Sequence, residues 1–336
     1  MFNYIKNIFN FESTNVYYFR KFNKNYKESE GKKFFINKFG NKNKNKIFYV
    51  IKRSPGAGIF SNLFYVLQHL FLIRNKKFIP IVDMNNFITL YNEKKLCNKT
   101  HNAWEYYFEQ LSNYSLQEVY KSKKVIITSN KFFLFTNNIN SLRKIWKTKI
   151  KFNKLINKKI NLINNNIFKD SLGVHFTTHT QKFAIKHPIP PTIYQMKNLI
   201  LRFRKKFNIK KVFLSTFIKK VELELTSKLK NNIFFNNFYR SDSINVFNDR
   251  KRKNHRFLCG IETLVDVFCL TSCKIILASE SNVIDFIKLI NSKKKIYLIN
   301  NGRNSKSYFI SRFSWYYKFI IINFFSFFNK NSLKNY

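Results

Sequence analysis

Between Lys46 and Met84 the chain reads KIFYVIK, then RSPGAG, then IFSNLFYVLQHLFLIRN, then KFIPIVDM. A short apolar run, a glycine-bearing turn, a long apolar segment and a second short run ending at Asp83 specify strand, tight turn, helix and strand. This is the βαβ unit from which parallel α/β sheets are built. Only seven glycines occur in 336 residues, and two of them, Gly56 and Gly58, fall in this one turn. A strand that reverses sharply into a helix needs a residue tolerant of φ > 0, or a backbone that something else can approach closely. Both glycines are therefore expected to be required there, with Ser61 and Asn62 on the first helical turn behind them.

A dinucleotide-binding fingerprint would continue this turn with a third glycine and place an acidic residue at the end of the next strand. Asp83 satisfies the second condition, but Ser61 stands where the third glycine belongs. The motif is incomplete, and a glycine turn without a ligand explains it equally well.

The α/β pattern then continues. THNAWEYYFEQLSNYSLQEVYKSKKVIIT has helical spacing followed by a strand, and a Lys/Asn-rich helical connector occupies about 140–166. The pattern restarts with DSLGVHFTTHT as a strand leaving into a loop. HPIPPTIYQMKNLILRFRKKF follows as a proline-started helix, IKKVFLST as a strand, ETLVDVFCLTSC as a helix, KIILAS as a strand and ESNVIDFIKLIN as a helix. The expected organisation is a poorly specified leader over 1–45, an α/β domain over 46–166, a second over 167–318 and a tail over 319–336.

Composition constrains the partners less than it first suggests. A formal net charge of +45 attracts polyanions whatever the fold. Yet Lys, Asn, Phe and Ile are inflated together, with 40 Phe against 7 Gly and 5 Pro, as compositional drift towards A and T produces. No specific nucleic-acid site is expected, while peripheral contact with an anionic membrane is. Cys97, Cys259, Cys269 and Cys273 lack paired CxxC spacing, which argues for buried free thiols rather than zinc. The amino-terminal MFNYIKNIFNFESTNVYYF lacks the unbroken apolar stretch of a signal peptide, and FIIINFFSFF is too short to cross a bilayer. A cytoplasmic chain, peripheral on the inner membrane face, is the expectation.

In the first half, Asp83, Glu93 and Glu105 are candidate carboxylates for an acceptor site, or else helix caps. Trp104, Tyr106 and Tyr107 could stack on a sugar, or else fill the core.

GAGIFSNLF, PIVDM, YNE, NAWEYYFEQLSNYSLQEVY, GVHF, HPIPPT, VFLST, YRSDS, LVDVFCLTSC and SESNV occur in one order along the chain. In that order they resemble the fucosyltransferase-like glycosyltransferases, specifically the bacterial group related to α-1,6-fucosyltransferases and the nodulation fucosyltransferase, over about residues 46–318. The resemblance implies a GT-B fold, two Rossmann-like domains facing a cleft. It implies a nucleotide sugar, usually GDP-fucose, held mainly by the carboxyl-terminal domain. Transfer to a glycan or lipid-linked acceptor would be inverting and independent of metal or cofactor. The glycine turn, with Gly56, Gly58, Ser61 and Asn62, would then sit at the cleft.

Such chemistry needs donors aimed at the leaving diphosphate and a base for the acceptor hydroxyl. The family's strand-end motif reads approximately H-F-R-G-T, and its arginine is expected to hold the diphosphate. Here His175 and Phe176 match, but Thr177 and Thr178 stand at the arginine and glycine positions. One neutral hydroxyl replaces a charged fork. After VFL the family shows A-T-D, where this chain has Ser215, Thr216 and Phe217. The remaining donor-site candidates are Arg240, Ser281 and Asn282; no residue is assigned as the base. Three readings stand: an active transferase, a catalytically decayed member of the same fold, and a basic nucleic-acid or anionic-membrane binder.

Overall fold

The computed structural model describes residues 25–53, 56–176, 185–242, 246–249, 252–325 and 333–335. The chain divides into two units, one taking residues up to Lys158 together with Arg252–Ile261, the other Lys159–Lys251 with Glu262 onwards.

The first unit is built on strands β1 (Glu28–Ser29), β2 (Ile36–Asn37), β3 (Ile47–Lys52), β4 (Phe78–Asp83) and β5 (Val125–Thr128). Their order is β1-β5-β3-β4, all parallel, and β2 adds antiparallel to β5. The register sets Lys52 opposite Asp83, so β3 and β4 end level. Phe48, Val50, Ile81, Val125 and Ile127 form one buried face of this sheet. Tyr49 points to the other, where its hydroxyl meets His69 Nδ1 at 2.8 Å on helix α1 (Ile59–Ile73). A helix apolar on nearly all sides is buried, and α1 is. Helices α2 (Ile139–Lys149) and α3 (Lys154–Asn161) follow β5.

Two expectations need correction in this unit. Of the expected leader over 1–45, the described residues 25–45 contribute to the sheet, because β1 and β2 pair with β5 and add strands to it. The segment from His101 to Tyr114 forms turns instead of helix. Asn102 explains why: its amide donates to Val82 O and accepts from the amides of Met84 and Trp104. Side chains that bond the nearby backbone compete with helix formation.

The second unit carries β6 (Ser171–His175), β7 (Lys211–Ser215), β8 (Ile233–Phe234), β9 (Ile275–Ser279), β10 (Ile296–Ile299) and β11 (Leu333–Asn335). The order is β11-β10-β9-β6-β7-β8, parallel except for β11. Its helices are α4 (Ile193–Phe207), α5 (Lys219–Leu229), α6 (His255–Ser272), α7 (Asn282–Ile290) and α8 (Tyr308–Phe325). Leu172, Val174, Leu214 and Leu277 pack with Met196 and Ile200 of α4 and Leu225 of α5 in one core. On the opposite face Leu270 of α6 and Cys273, just past its end, lie against Gly173. The expected proline-started helix begins only at Ile193, where Thr192 Oγ1 accepts from Gln195 N at 3.0 Å.

Helix α6 starts seven residues before the expected ETLVDVFCLTSC segment. Its first turns belong to the first unit, where Glu93 Oε1 accepts from Phe257 N at 3.0 Å and Tyr107 donates to Phe257 O at 3.1 Å. The four cysteines are buried and unbridged.

Candidate functional site

The strand order of the second unit reverses direction at one place. From β6 the chain moves out through β7 to β8, then returns to the other side of β6 with β9 and β10. In such open parallel sheets, the carboxyl ends of the two strands at the reversal diverge into a ligand-binding crevice. Here those ends are His175 on β6, in register with Ser215 and Ala278, and Ser279 on β9. Ser281 is the N-cap of α7 immediately beyond, so a helix amino terminus opens at the same place.

Among the described residues, Ser279 Oγ and Ser281 Oγ are buried without a hydrogen-bond partner, and Ser279 is only 6 % exposed. Ser281 does not cap α7 through its side chain, although its carbonyl accepts from Ile284 and Asp285. A buried polar group left unpaired costs free energy, and these two lie together at a helix amino terminus beside the strand-order reversal. Asn282, the first residue of α7, is exposed.

On the other side, His175 is buried and its Nδ1 lies 3.4 Å from Ser215 Oγ. Desolvation lowers its pKa to about 4, so the ring is neutral near pH 7. Ser215 also bonds the carboxyl of Asp266 on α6, which accepts from Asn236 Nδ2 at 2.7 Å. Burial pushes the Asp266 carboxyl up to about 6, against the opposing influence of Asn236, Ser215 and Arg240. Thr216 turns inward on its own loop, accepting from Ile218 N at 3.2 Å.

Arg240 does not stand open to an incoming anion. Its side chain is 3 % exposed, with Nε 2.7 Å from Glu222 Oε2. The N–H there points off the line to the oxygen, so charge rather than a directed hydrogen bond holds the pair. The other two nitrogens donate to Phe238 O and Asn236 O, and the guanidinium lies over the Phe235 ring. Glu222 is shared with Lys219. Thr177 and Thr178 lie outside the described residues, as does the segment through residue 184.

In the first unit, one of the two glycines has the expected role. Gly56 has φ +74°, whereas Gly58 has φ −57° and ψ 156°, an extended N-cap open to any residue. A Cβ on Gly56 would lie 3.1 Å from Asn62 Oδ1, while one on Gly58 meets nothing within 4 Å. The reversal needs a single left-handed residue because Asn62 clamps the next one, accepting from Ala57 N and donating to Ala57 O. Ser61 is half-buried in the first turn of α1. Gly56→Ala is thus expected to cost about 1–2 kcal/mol in urea unfolding. Gly58→Ser, able to cap α1, should be neutral or slightly stabilising. Equal losses at both positions would overturn this account of the turn.

The acceptor-side carboxylates are occupied structurally. Asp83 is fully buried and accepts from Asn85 N, Asn86 N, Asn86 Nδ2 and Tyr120 Oη, so it fastens the loop after β4. Glu105 accepts from Thr100, Asn102 and Gln110, and Glu93 caps α6. Trp104, Tyr106 and Tyr107 are core residues.

Among the described residues, no three His, Cys, Asp or Glu side chains are arranged to hold a metal ion. The reading from sequence did not single out Asp266 or Ser279. A carboxylate inside the apolar run LVDVFCL was the available signal for Asp266; nothing in the sequence marks Ser279 as unpartnered.

No protein-family model matches the chain. No curated protein matches it either. Solved structures do. NodZ α-1,6-fucosyltransferase soaked with GDP-fucose superposes with a TM-score of 0.50 at 16 % identity, over 76 % of this chain and 95 % of that one. NodZ co-crystallised with GDP gives 0.50 at 13 % identity, over 76 % and 96 %. Fucosyltransferase NodZ from Bradyrhizobium gives 0.50 at 12 % identity, over 78 % and 100 %. With two parallel-stranded α/β units in this order, the chain has the GT-B fold of the fucosyltransferase-like glycosyltransferases.

Proposed function

We propose that this chain is a glycosyltransferase that takes a GDP-sugar as donor, fucose or a related sugar, and passes it to a glycan or lipid-linked precursor of a cell-surface glycan. The carrying observation is the strand-order reversal at β6 and β9, with the unpartnered Ser279 and Ser281 hydroxyls beside the amino terminus of α7. A diphosphate there would receive hydroxyl donors, the first amides of α7 and its positive dipole end, which stabilise charge developing on the leaving group. The fold, shared with an enzyme solved with GDP and GDP-fucose, supports the same reading. Transfer would be inverting and metal-independent, with His175 and, two positions on in sequence, Thr177 serving the donor side.

One observation favours a second reading, a decayed transferase. Arg240, the permanent cation among the donor-site candidates, is held by Glu222 and two carbonyls. A site of neutral hydroxyls and amides would bind a diphosphate weakly and stabilise its departure less.

Titration calorimetry with GDP and GDP-fucose tests the reading, with a transfer assay separating the two forms of it. Binding that survives EDTA is expected; no binding of either nucleotide would overturn the proposal, and binding without turnover would select the decayed form. Ser279→Ala sharpens the test. Removing an unsatisfied buried hydroxyl should leave the free protein equally or more stable, yet lower GDP affinity about fivefold. Unchanged affinity would remove Ser279 from the site.

A further inference from the structure

Helix α8 exposes the wrong residues for water. Phe309, Ile310, Phe313, Tyr317 and Ile320 are each between 59 % and 79 % exposed. At 3.6 residues per turn they fall within one arc of about 100°, with buried Ser311 and Trp315 on the opposite side. The outward face of a surface helix is normally its charged face. Lysine and arginine make up 62 of 336 residues, yet none falls in this stripe. Arg312 borders it on one side and Lys318 on the other. A contiguous apolar patch of this kind marks a binding surface.

We propose that α8 docks the protein on an anionic phospholipid surface, lying in the plane of the bilayer with this stripe inserted among the acyl chains. Its 18 residues carry the aromatic and apolar side chains that interfacial helices insert, while Arg312 and Lys318 reach lipid phosphates from the flanks. The helix α4, packed against α8, adds exposed Arg202, Lys205 and Lys206. Among the described residues no helix is long and apolar enough to cross a membrane, so the geometry is that of a helix lying on the surface. The net charge of +45 decides between occupants: it repels a second copy of this chain and attracts anionic lipid. A nucleic acid would meet cations on such a face, not phenylalanine. The inference stands whether or not the chain binds a GDP-sugar.

Flotation of the full chain with vesicles of phosphatidylglycerol and phosphatidylcholine in equal parts, against phosphatidylcholine alone, tests this directly. The wild type should float with the anionic vesicles, and Phe309→Ser and Phe313→Ser should each weaken binding about tenfold. Neither substitution alters charge, and both side chains are exposed, so thermal unfolding should not move. Phe313→Trp supplies a second measurement: its fluorescence should be quenched by brominated acyl chains. Failure of the wild type to float, binding undiminished in the serine variants, or an unquenched Trp at 313 would each overturn the proposal. A dimer in light scattering that the serine variants dissolve would also overturn it, in favour of a second copy as the occupant.

Discussion

Glu222→Ala is expected to destabilise the second unit by about 3 kcal/mol or more, read as a shift of the urea unfolding midpoint. The substitution leaves the Arg240 guanidinium, 3 % exposed, without its counter-ion. Two carbonyls, Phe238 O and Asn236 O, would remain hydrogen-bonded to it, neither carrying a full charge, and the Asp266 carboxyl would act on it only through space. An uncompensated buried cation costs far more than the pair contributes when intact, because desolvation has already consumed most of the attraction. Replacing both partners removes the charge together with its counter-ion. Glu222→Leu with Arg240→Met should therefore recover most of the loss. The same variants decide what Arg240 does. A structural arginine predicts that Arg240→Met lowers stability while GDP affinity, if present, hardly changes. Affinity loss at unchanged stability would instead mean that the guanidinium turns to the diphosphate in the bound state, and would sink the structural assignment.

The difference between what could be read in the sequence and what could not follows from the range of the forces involved. The β3-α1-β4 unit and the β7, β9 and α7 segments are written in runs of apolar residues, which burial enforces along the chain. β1 and β2 are two residues each and carry no period; pairing with β5, remote in sequence, makes them strands. The first turns of α6 are likewise fixed by distant groups, Glu93 and Tyr107 on Phe257. Site residues divide the same way. His175, Ser281 and Asn282 could be placed at a strand end and a helix start by order alone, and they are there. Whether a hydroxyl or a guanidinium is free for a ligand depends on every neighbour it meets. That is why Arg240 and Asp83 prove committed to internal bonds and Ser279 does not. Gly58 shows the limit within a single turn: two glycines suggest two special conformations, but Asn62 makes one sufficient.

Asp266→Asn is expected to gain stability relative to the wild type as pH rises from about 4 to about 6, and to keep that advantage above it. The carboxyl sits on α6, facing Ser215 of β7, Asn236 and Arg240 of the loop after β8, and Glu262 one turn back on its own helix. Burial is the largest influence on it and holds its pKa near 6, Glu262 acting in the same direction and Arg240 and the two hydrogen bonds against. An unfolded aspartate ionises at about 3.9. Between those values the folded chain binds a proton that the unfolded chain has released, so folding becomes less favourable as pH climbs through the window. The sign is opposite to that of a salt-bridged carboxylate, whose stabilisation grows with pH. A difference of about two pKa units corresponds to about 3 kcal/mol, all of it present at pH 7 and absent below pH 4. Asparagine cannot ionise, and its Oδ1 can still accept from Asn236, so the difference between the two proteins isolates this one group from every other titration in the chain. Chemical unfolding at pH 4, 5, 6 and 7 measures it. A constant difference would mean that Asp266 titrates alike in both states; a difference that shrinks with pH would mean that Arg240 holds the carboxylate charged, and that its burial is fully offset by that one cation.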